Sequence, residues 1–130
     1  MKFLLDTQCW LWWISEPAKL NKMAVNYIRD KSNQVLFSSA SSWEIAIKYG
    51  LGKLKLSEPP LQFIPKRLAR DRITAIPIEH IHALQVSILP PHHRDPFDRL
   101  LIAQAQIDGI PIITANEKIH AYDVEVIKAN

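Results

Sequence analysis

Several oxygen-bearing side chains stand where a solvated surface explains them poorly. Asp6 closes the apolar run KFLL, Glu44 is the one charge in WEIAI, and Asp95 and Asp98 stand three apart in HHRDPFDRLLIAQA. Asn116 and Glu117 follow PIIT by two and three residues. Each has a bland use. Asp6 can cap a following helix, Glu44 can pair with Lys48 at i,i+4, and Asp95 before Pro96 suits an N-cap. Asp98 also complements a helix dipole, but it shares its face with Ile102 and Ala105, so a stripe bound for a core begins with a carboxylate. Gathered together, such acids repel one another and call for a neutralising cation. An oxygen-only set selects a hard ion, Mg²⁺ or Mn²⁺; zinc would want sulfur or imidazole, and Cys9 has no companion. His92 and His93, adjacent in a proline-rich loop, suit solvent or phosphate contact better than chelation. The chemistry open to this set is metal-assisted phosphodiester hydrolysis.

The elements that must position these residues alternate. KFLL (2–5), QVLFSS (34–39), ITAIPI (73–78), PIIT (111–114) and VEVI (124–127) read as short buried strands. LWWI is a short helix or turn closed by Ser15-Glu16-Pro17, and a helix entered at Asn21 runs through Ile28. SSWEIAIKYGLG (41–52) is a helix with a serine cap and glycine stop, which places Glu44 in its first turn. A helical segment from SEPP to about Arg70 is expected to kink or split at Pro65. EHIHALQVS is a short helix, and PFDRLLIAQAQIDG, ending at Gly109, is the clearest one. Strand–helix alternation implies βαβ units and a central, mostly parallel sheet covered on both faces. In such a sheet ligands sit beyond the carboxyl ends of the strands, where Asp6, Glu44, Asp98 and Asn116 all fall.

Composition bounds the rest. At 130 residues, 48% hydrophobic and 22% charged, the chain reads as a single domain over residues 1–130 with a modest core. A net charge of +3 permits a polyanionic partner without demanding one. Only three apolar residues lie between Met1-Lys2 and Asp6, too few for a signal-peptide core, and no run reaches a membrane-spanning length. With one cysteine, the expected compartment is the reducing cytoplasm. Competing acid chemistries fail on position. A haloacid-dehalogenase-type phosphatase needs an aspartate where Gln8 stands, ITAIPI is followed only by Glu79 and His80, and glycines at 50, 52 and 109 make no phosphate loop.

LLDTQCWLWW, SSWEIAIKYGLGKL, PPHHRDPFDRLLIAQA and PIITANEKIHAYDVEVI resemble, in that order, the successive blocks of PIN-domain proteins, most closely the VapC-like toxin branch. The likeness covers nearly the whole chain. It implies a three-layer α/β/α fold, Mg²⁺-dependent endoribonuclease activity, a cognate antitoxin occupying the toxin's groove, and frequent homodimers. By position the family's metal-binding aspartates fall on Asp6 and Asp98, its glutamate on Glu44, and a further acid of this branch on Asp95. The fourth family acid falls on Asn116, with Glu117 beside it as the alternative. Metal would be held by Asp6, Glu44, Asp98 and Asn116, and Glu44 or Asp95 would orient the attacking water. Hydrolysis of this kind needs no 2′-OH, so RNA as substrate rests on the resemblance alone. The other reading is a catalytically weakened PIN domain serving as an RNA-binding or protein-interaction module, supported by Asn116. A protein partner is expected near Trp12, Trp13 and the helix entered at Asn21.

Overall fold

Strands as short and apolar as these need cover on both faces, and the computed structural model, which describes residues 1–130, supplies it. The chain runs β1 (Lys2–Leu5), α1 (Thr7–Ser15), α2 (Lys22–Arg29), β2 (Gln34–Ser38), α3 (Ser39–Gly50), α4 (Pro60–Asp71), β3 (Thr74–Ile76), α5 (His80–Gln85), α6 (Pro96–Asp108), β4 (Ile112–Thr114) and β5 (Val126–Lys128). Single 3₁₀ turns cover Pro17–Lys19, Val86–Ile88 and Glu117–Ala121. The strands form one sheet in the order β3-β2-β1-β4-β5. Every pairing is parallel, where the sequence led to a mostly parallel sheet.

Period-two alternation sorts the side chains into layers. Phe3, Leu5, Val35, Phe37 and Ile113 pack with Trp10, Ala24, Ile28, Ile64 and Leu68 from α1, α2 and α4. Leu4, Leu36 and Ile112 pack on the other face with Leu101, Ile102 and Ala105 of α6. Helix α3 serves both, through Ile45 on the first face and Ala40 on the second. The result is the three-layer α/β/α arrangement. Trp10, fully buried, packs at a tilt against Phe37 with ring centroids 4.7 Å apart, and truncating a residue so placed costs about 3–5 kcal/mol. No helix is long and apolar enough to cross a membrane.

Boundaries differ from expectation where a local cap overrides the apolar pattern. Helix α1 starts at Thr7 because nothing in TQCWLWWIS breaks a helix before Pro17. Helix α3 starts at Ser39, since Ser38 itself accepts from the Ala40 amide at 3.1 Å. Glu44 therefore lies in the second turn, not the first. The glycine stop is Gly52 at φ +75°, whose N–H donates to Tyr49 O at 3.0 Å while Lys53 N–H donates to Lys48 O at 2.9 Å. Helix α4 passes through Pro65 unbroken; Leu61, whose carbonyl loses its donor there, is 81% exposed and open to water. Strand β3 stops before Pro77, and β5 begins two residues into VEVI and ends one beyond it, in register Ile113↔Ile127.

Central β1, flanked by β2 and β4, marks the point where strand order reverses and a crevice opens beyond the carboxyl ends. Helix α4 ends on Arg72 at φ +56°, with Ile73 N–H donating to Leu68 O at 2.9 Å. A side chain in this left-handed region costs about 1–2 kcal/mol, partly offset by the freedom glycine adds to the unfolded chain. Arg72→Gly should therefore raise stability by about 0.5–1 kcal/mol, read as a higher urea midpoint at unchanged m-value. A lower midpoint would show that the arginine side chain contributes more than its backbone costs.

Candidate active site at the carboxyl edge of the sheet

Asp6 is the first residue beyond β1. It stands at the N-cap position of α1 but makes no cap bond. Its Oδ2 instead accepts from Thr114 Oγ1, at the end of β4, at 2.7 Å. Thr114 Oγ1 in turn accepts from the Asn116 amide at 3.0 Å. The buried threonine thus ties together the two chain segments that leave the sheet at the crevice.

Asp98 sits in the first turn of α6, and its Oδ2 accepts from Asn116 Nδ2 at 3.0 Å and lies 3.3 Å from His93 Nε2. Asp95 caps the same helix, its Oδ1 accepting from the Phe97 and Asp98 amides at 2.9 and 3.1 Å. Glu44 is 7% exposed, and its Oε2 pairs with Lys48 Nζ at 2.7 Å. Pairing with Lys48 does not separate Glu44 from the other acids: Asp6, Glu44, Asp95, Asp98 and Asn116 line one cleft of about 300 Å³ in which Lys48 is the only cation. Trp12 and Leu11 form its apolar wall. Glu117 is exposed and outside the cleft, so of the two candidates for the fourth position only Asn116 reaches it.

The Asn116 amide is oriented by its neighbours. Its Oδ1 accepts from Lys118 N–H at 3.0 Å, capping the last 3₁₀ turn, which leaves the NH₂ to face Asp98. The expected ligand oxygen is therefore already engaged, and Asn116 presents a donor to the acids.

Burial pushes Asp6 up to about 7, with the Asp98 and Glu44 charges adding and the Thr114 hydroxyl opposing. Burial likewise raises Asp98 to about 6, helped by Asp95 and Glu44 and opposed by the Asn116 amide and Lys48. The hydrogen bond to Glu44 raises Lys48 above the usual lysine range. Oxygen-only donors that repel one another fit a hard divalent cation. They are not a finished cage: no three His, Cys, Asp or Glu side chains stand close enough to hold an ion as arranged. Glu44 is turned to Lys48 and Asp98 to Asn116 and His93.

The sequence left other contributors unread. His93, expected to touch solvent or phosphate, turns inward with its side chain 6% exposed. Its Nδ1 meets the Tyr122 hydroxyl at 2.8 Å, and Arg99 Nη1 donates to that hydroxyl at 3.0 Å. His92 stays exposed, edge-on to Tyr122. Trp12 and Trp13 are half-buried; Trp13 Nε1 donates to Asp71 at 3.1 Å, so its polar edge is satisfied within the chain. The most exposed tryptophan is Trp43, 58% exposed beside Phe97. Burial pushes the Cys9 thiol far up, leaving it an inert core residue.

A raised folded pKa means that, between the unfolded carboxylate range and about 7, the folded chain binds more protons than the unfolded one. Stability of the metal-free protein is thus fullest at the acid end of that window and falls as pH rises through it. The melting temperature should drop between about pH 4.5 and about pH 7.5, and Asp6→Asn should flatten the slope, measured by thermal unfolding in a chelator. A slope of opposite sign would mean that these carboxylates are better solvated than their burial implies.

Residues 3–125 match the family described as the PIN domain. Ribonuclease VapC16 of Mycobacterium tuberculosis is 42% identical over 55 residues, which covers 42% of this chain and only 39% of that relative. Ribonuclease VapC22 of the same organism is 24% identical over 119 residues, 92% of this chain and 90% of that protein. Among solved structures, VapBC2 from Rickettsia felis bound to a promoter DNA fragment superposes with a TM-score of 0.75 at 18% identity, covering 100% of both chains. DNA-bound VapBC from Salmonella typhimurium gives 0.70 at 17%, covering 98% and 97%, and a toxin–antitoxin complex from Klebsiella pneumoniae gives 0.63 at 20%, covering 96% and 95%. At those identities the likeness is one of fold. Sheet order, layering and a match that runs from β1 to the threshold of β5 agree: this chain belongs to the PIN-domain family.

Proposed function

We propose that the cleft is the active site of a metal-dependent endoribonuclease, a single PIN domain over residues 1–130 acting as the toxin of a type II toxin–antitoxin pair. The observation that carries the hydrolytic part is the convergence of Asp6, Glu44, Asp95 and Asp98, from well-separated stretches of sequence, on one cleft at the strand-order reversal. RNA as substrate and an antitoxin as partner are supported by the ribonuclease names of the relatives and by the similar toxin–antitoxin complex. Homodimerisation belongs to the same reading; Ile81, Leu84 and Ile88 form an exposed apolar face on and after α5. A cytoplasmic location belongs to the same reading.

In this reading Asp6 and Asp98 would hold the Mg²⁺, for which Mn²⁺ could substitute, with Glu44 beside them. When bound, a divalent cation supplies Lewis acidity at the phosphoryl oxygen and a more acidic water. Glu44, one oxygen held by Lys48, keeps Oε1 without a protein donor and can accept a proton from the attacking water. Asp95, engaged through Oδ1, has Oδ2 free at the rim for the same role. Lys48 places a positive charge in the cleft for the substrate phosphate. Asn116 donates to Asp98 and orients it.

A second reading, a weakened domain that binds RNA or protein without cutting, is favoured by the absence of a ready three-ligand cluster and by the amide in place of a fourth acid. Asp98→Asn decides between them. It should abolish Mg²⁺-dependent RNA cleavage, leave circular dichroism unchanged, and raise the melting temperature of the metal-free protein by removing repulsion. If wild type does not cut RNA at any metal concentration, the binding-module reading stands.

Asn116→Asp tests the fourth position. It replaces a donor to Asp98 by a further negative charge, and at about 4 Å and an effective dielectric near 20 one such pair interacts by roughly 4 kcal/mol before desolvation. The variant should be less stable without metal, bind Mg²⁺ more tightly, and cleave at lower metal concentration. Titration curves that coincide for wild type, Asn116→Asp and Asn116→Ala would remove Asn116 from the site.

A further inference from the structure

We propose that Arg99, Tyr122 and His93 form a hydrogen-bonded chain that fixes which oxygen of Asp98 is free for metal, a positioning role that rests on the reading of Asp98 as an active-site carboxylate. The direction of each proton follows from the donors. An arginine can only donate, so Tyr122 Oη accepts from Arg99 Nη1 at 3.0 Å, and it accepts again from the His93 backbone N–H at 3.3 Å. Its own proton is then left for His93 Nδ1, 2.8 Å away. A histidine that accepts at Nδ1 carries its proton at Nε2, and Nε2 lies 3.3 Å from Asp98 Oδ2. With Asn116 Nδ2 donating to that same oxygen at 3.0 Å, Oδ2 is saturated and Oδ1 has no protein donor.

The chain is held in place from its far end. Arg99 Nη1 also donates to Pro90 O at 2.9 Å, and Nη2 to Val86 O and Leu89 O, each at 3.3 Å. One guanidinium therefore pins the backbone of the loop that delivers His93 and orients the tyrosine that sets its tautomer. Tyr122 is itself buried, 5% exposed, so the ring that carries the hydroxyl is held by the core. The same helix carries Asp98 and Arg99 as neighbours, so the carboxylate and the anchor of its supporting chain share one rigid element. Partners that orient a ligand in this way are typically worth about 10–100-fold in metal affinity.

The test uses the intact protein with Mn²⁺ as probe. Nitrogen-15 NMR of the metal-free protein should show His93 as the neutral Nε2–H tautomer, and Tyr122→Phe, which keeps the ring and deletes the hydroxyl, should abolish that preference. Calorimetry should find Mn²⁺ affinity lowered about tenfold or more in Tyr122→Phe and His93→Leu, and largely restored in His93→Gln, whose amide N–H can reach Asp98. A merely structural role for His93 would not be rescued by Gln. An Nδ1–H tautomer in wild type overturns the proposal. So does wild-type Mn²⁺ affinity in both Tyr122→Phe and His93→Leu while Asp98→Asn no longer binds, a result that leaves the nuclease reading intact. Wild-type binding by Asp98→Asn overturns the active-site reading and this proposal with it.

Discussion

A carboxylate taken out of water loses hydration, and two buried close together add mutual repulsion; Asp6 and Asp98 bear both costs. Much of the local architecture around the cleft serves to contain that cost. Thr114 donates to Asp6, Asn116 and His93 donate to Asp98, and Lys48 neutralises Glu44. None of these donors is incidental to the fold, since Thr114 ends β4, Asn116 caps a turn and Lys48 contributes to the end of α3. Compensation is incomplete, because the acids remain above the ordinary carboxylate range. Stability is given up at this cleft, the trade expected of a functional site.

Much of this was legible in the sequence because it depends on local pattern. Apolar runs and capped amphipathic stretches gave the strand–helix alternation, and a carboxylate at the head of the Ile102–Ala105 stripe singled out Asp98. The Asp95 and Asn21 caps are where their residue types put them, Asn21 accepting from the Ala24 amide at 2.8 Å. What could not be read was set by contacts between distant segments. Whether Asp6 caps α1 depends on Thr114, 108 residues away, offering a better donor. The facing of the Asn116 amide depends on the path of the chain to Lys118, and the inward turn of His93 depends on Arg99 gripping its loop. Glu44 pairs with Lys48 and lines the cleft at once, so the two uses its sequence context offers do not compete.

The sheet order explains why these acids meet at all. With β1 between β2 and β4, connections on either side leave the sheet in opposite directions, and residues at the two strand ends face one crevice. Asp6 and Asn116 come from the strand ends themselves, while Glu44 and Asp98 come from helices on the two faces. A strand slip of one residue would turn Leu4 and Leu5 to the wrong faces and move Asp6 out of reach of Thr114, so the core packing that fixes register also fixes the site.

That same topology bears on when the site can exist. The bond from Thr114 to Asp6 joins the first strand to the fourth, a closure over most of the chain that local helix formation cannot anticipate. During synthesis, Asp6 and Glu44 emerge well before Asp98 and Asn116, without a place to converge. They come together only after the chain has been made through Asn116 and β4 has docked against β1. The cleft is therefore completed only late in chain synthesis, once β4 has docked against β1.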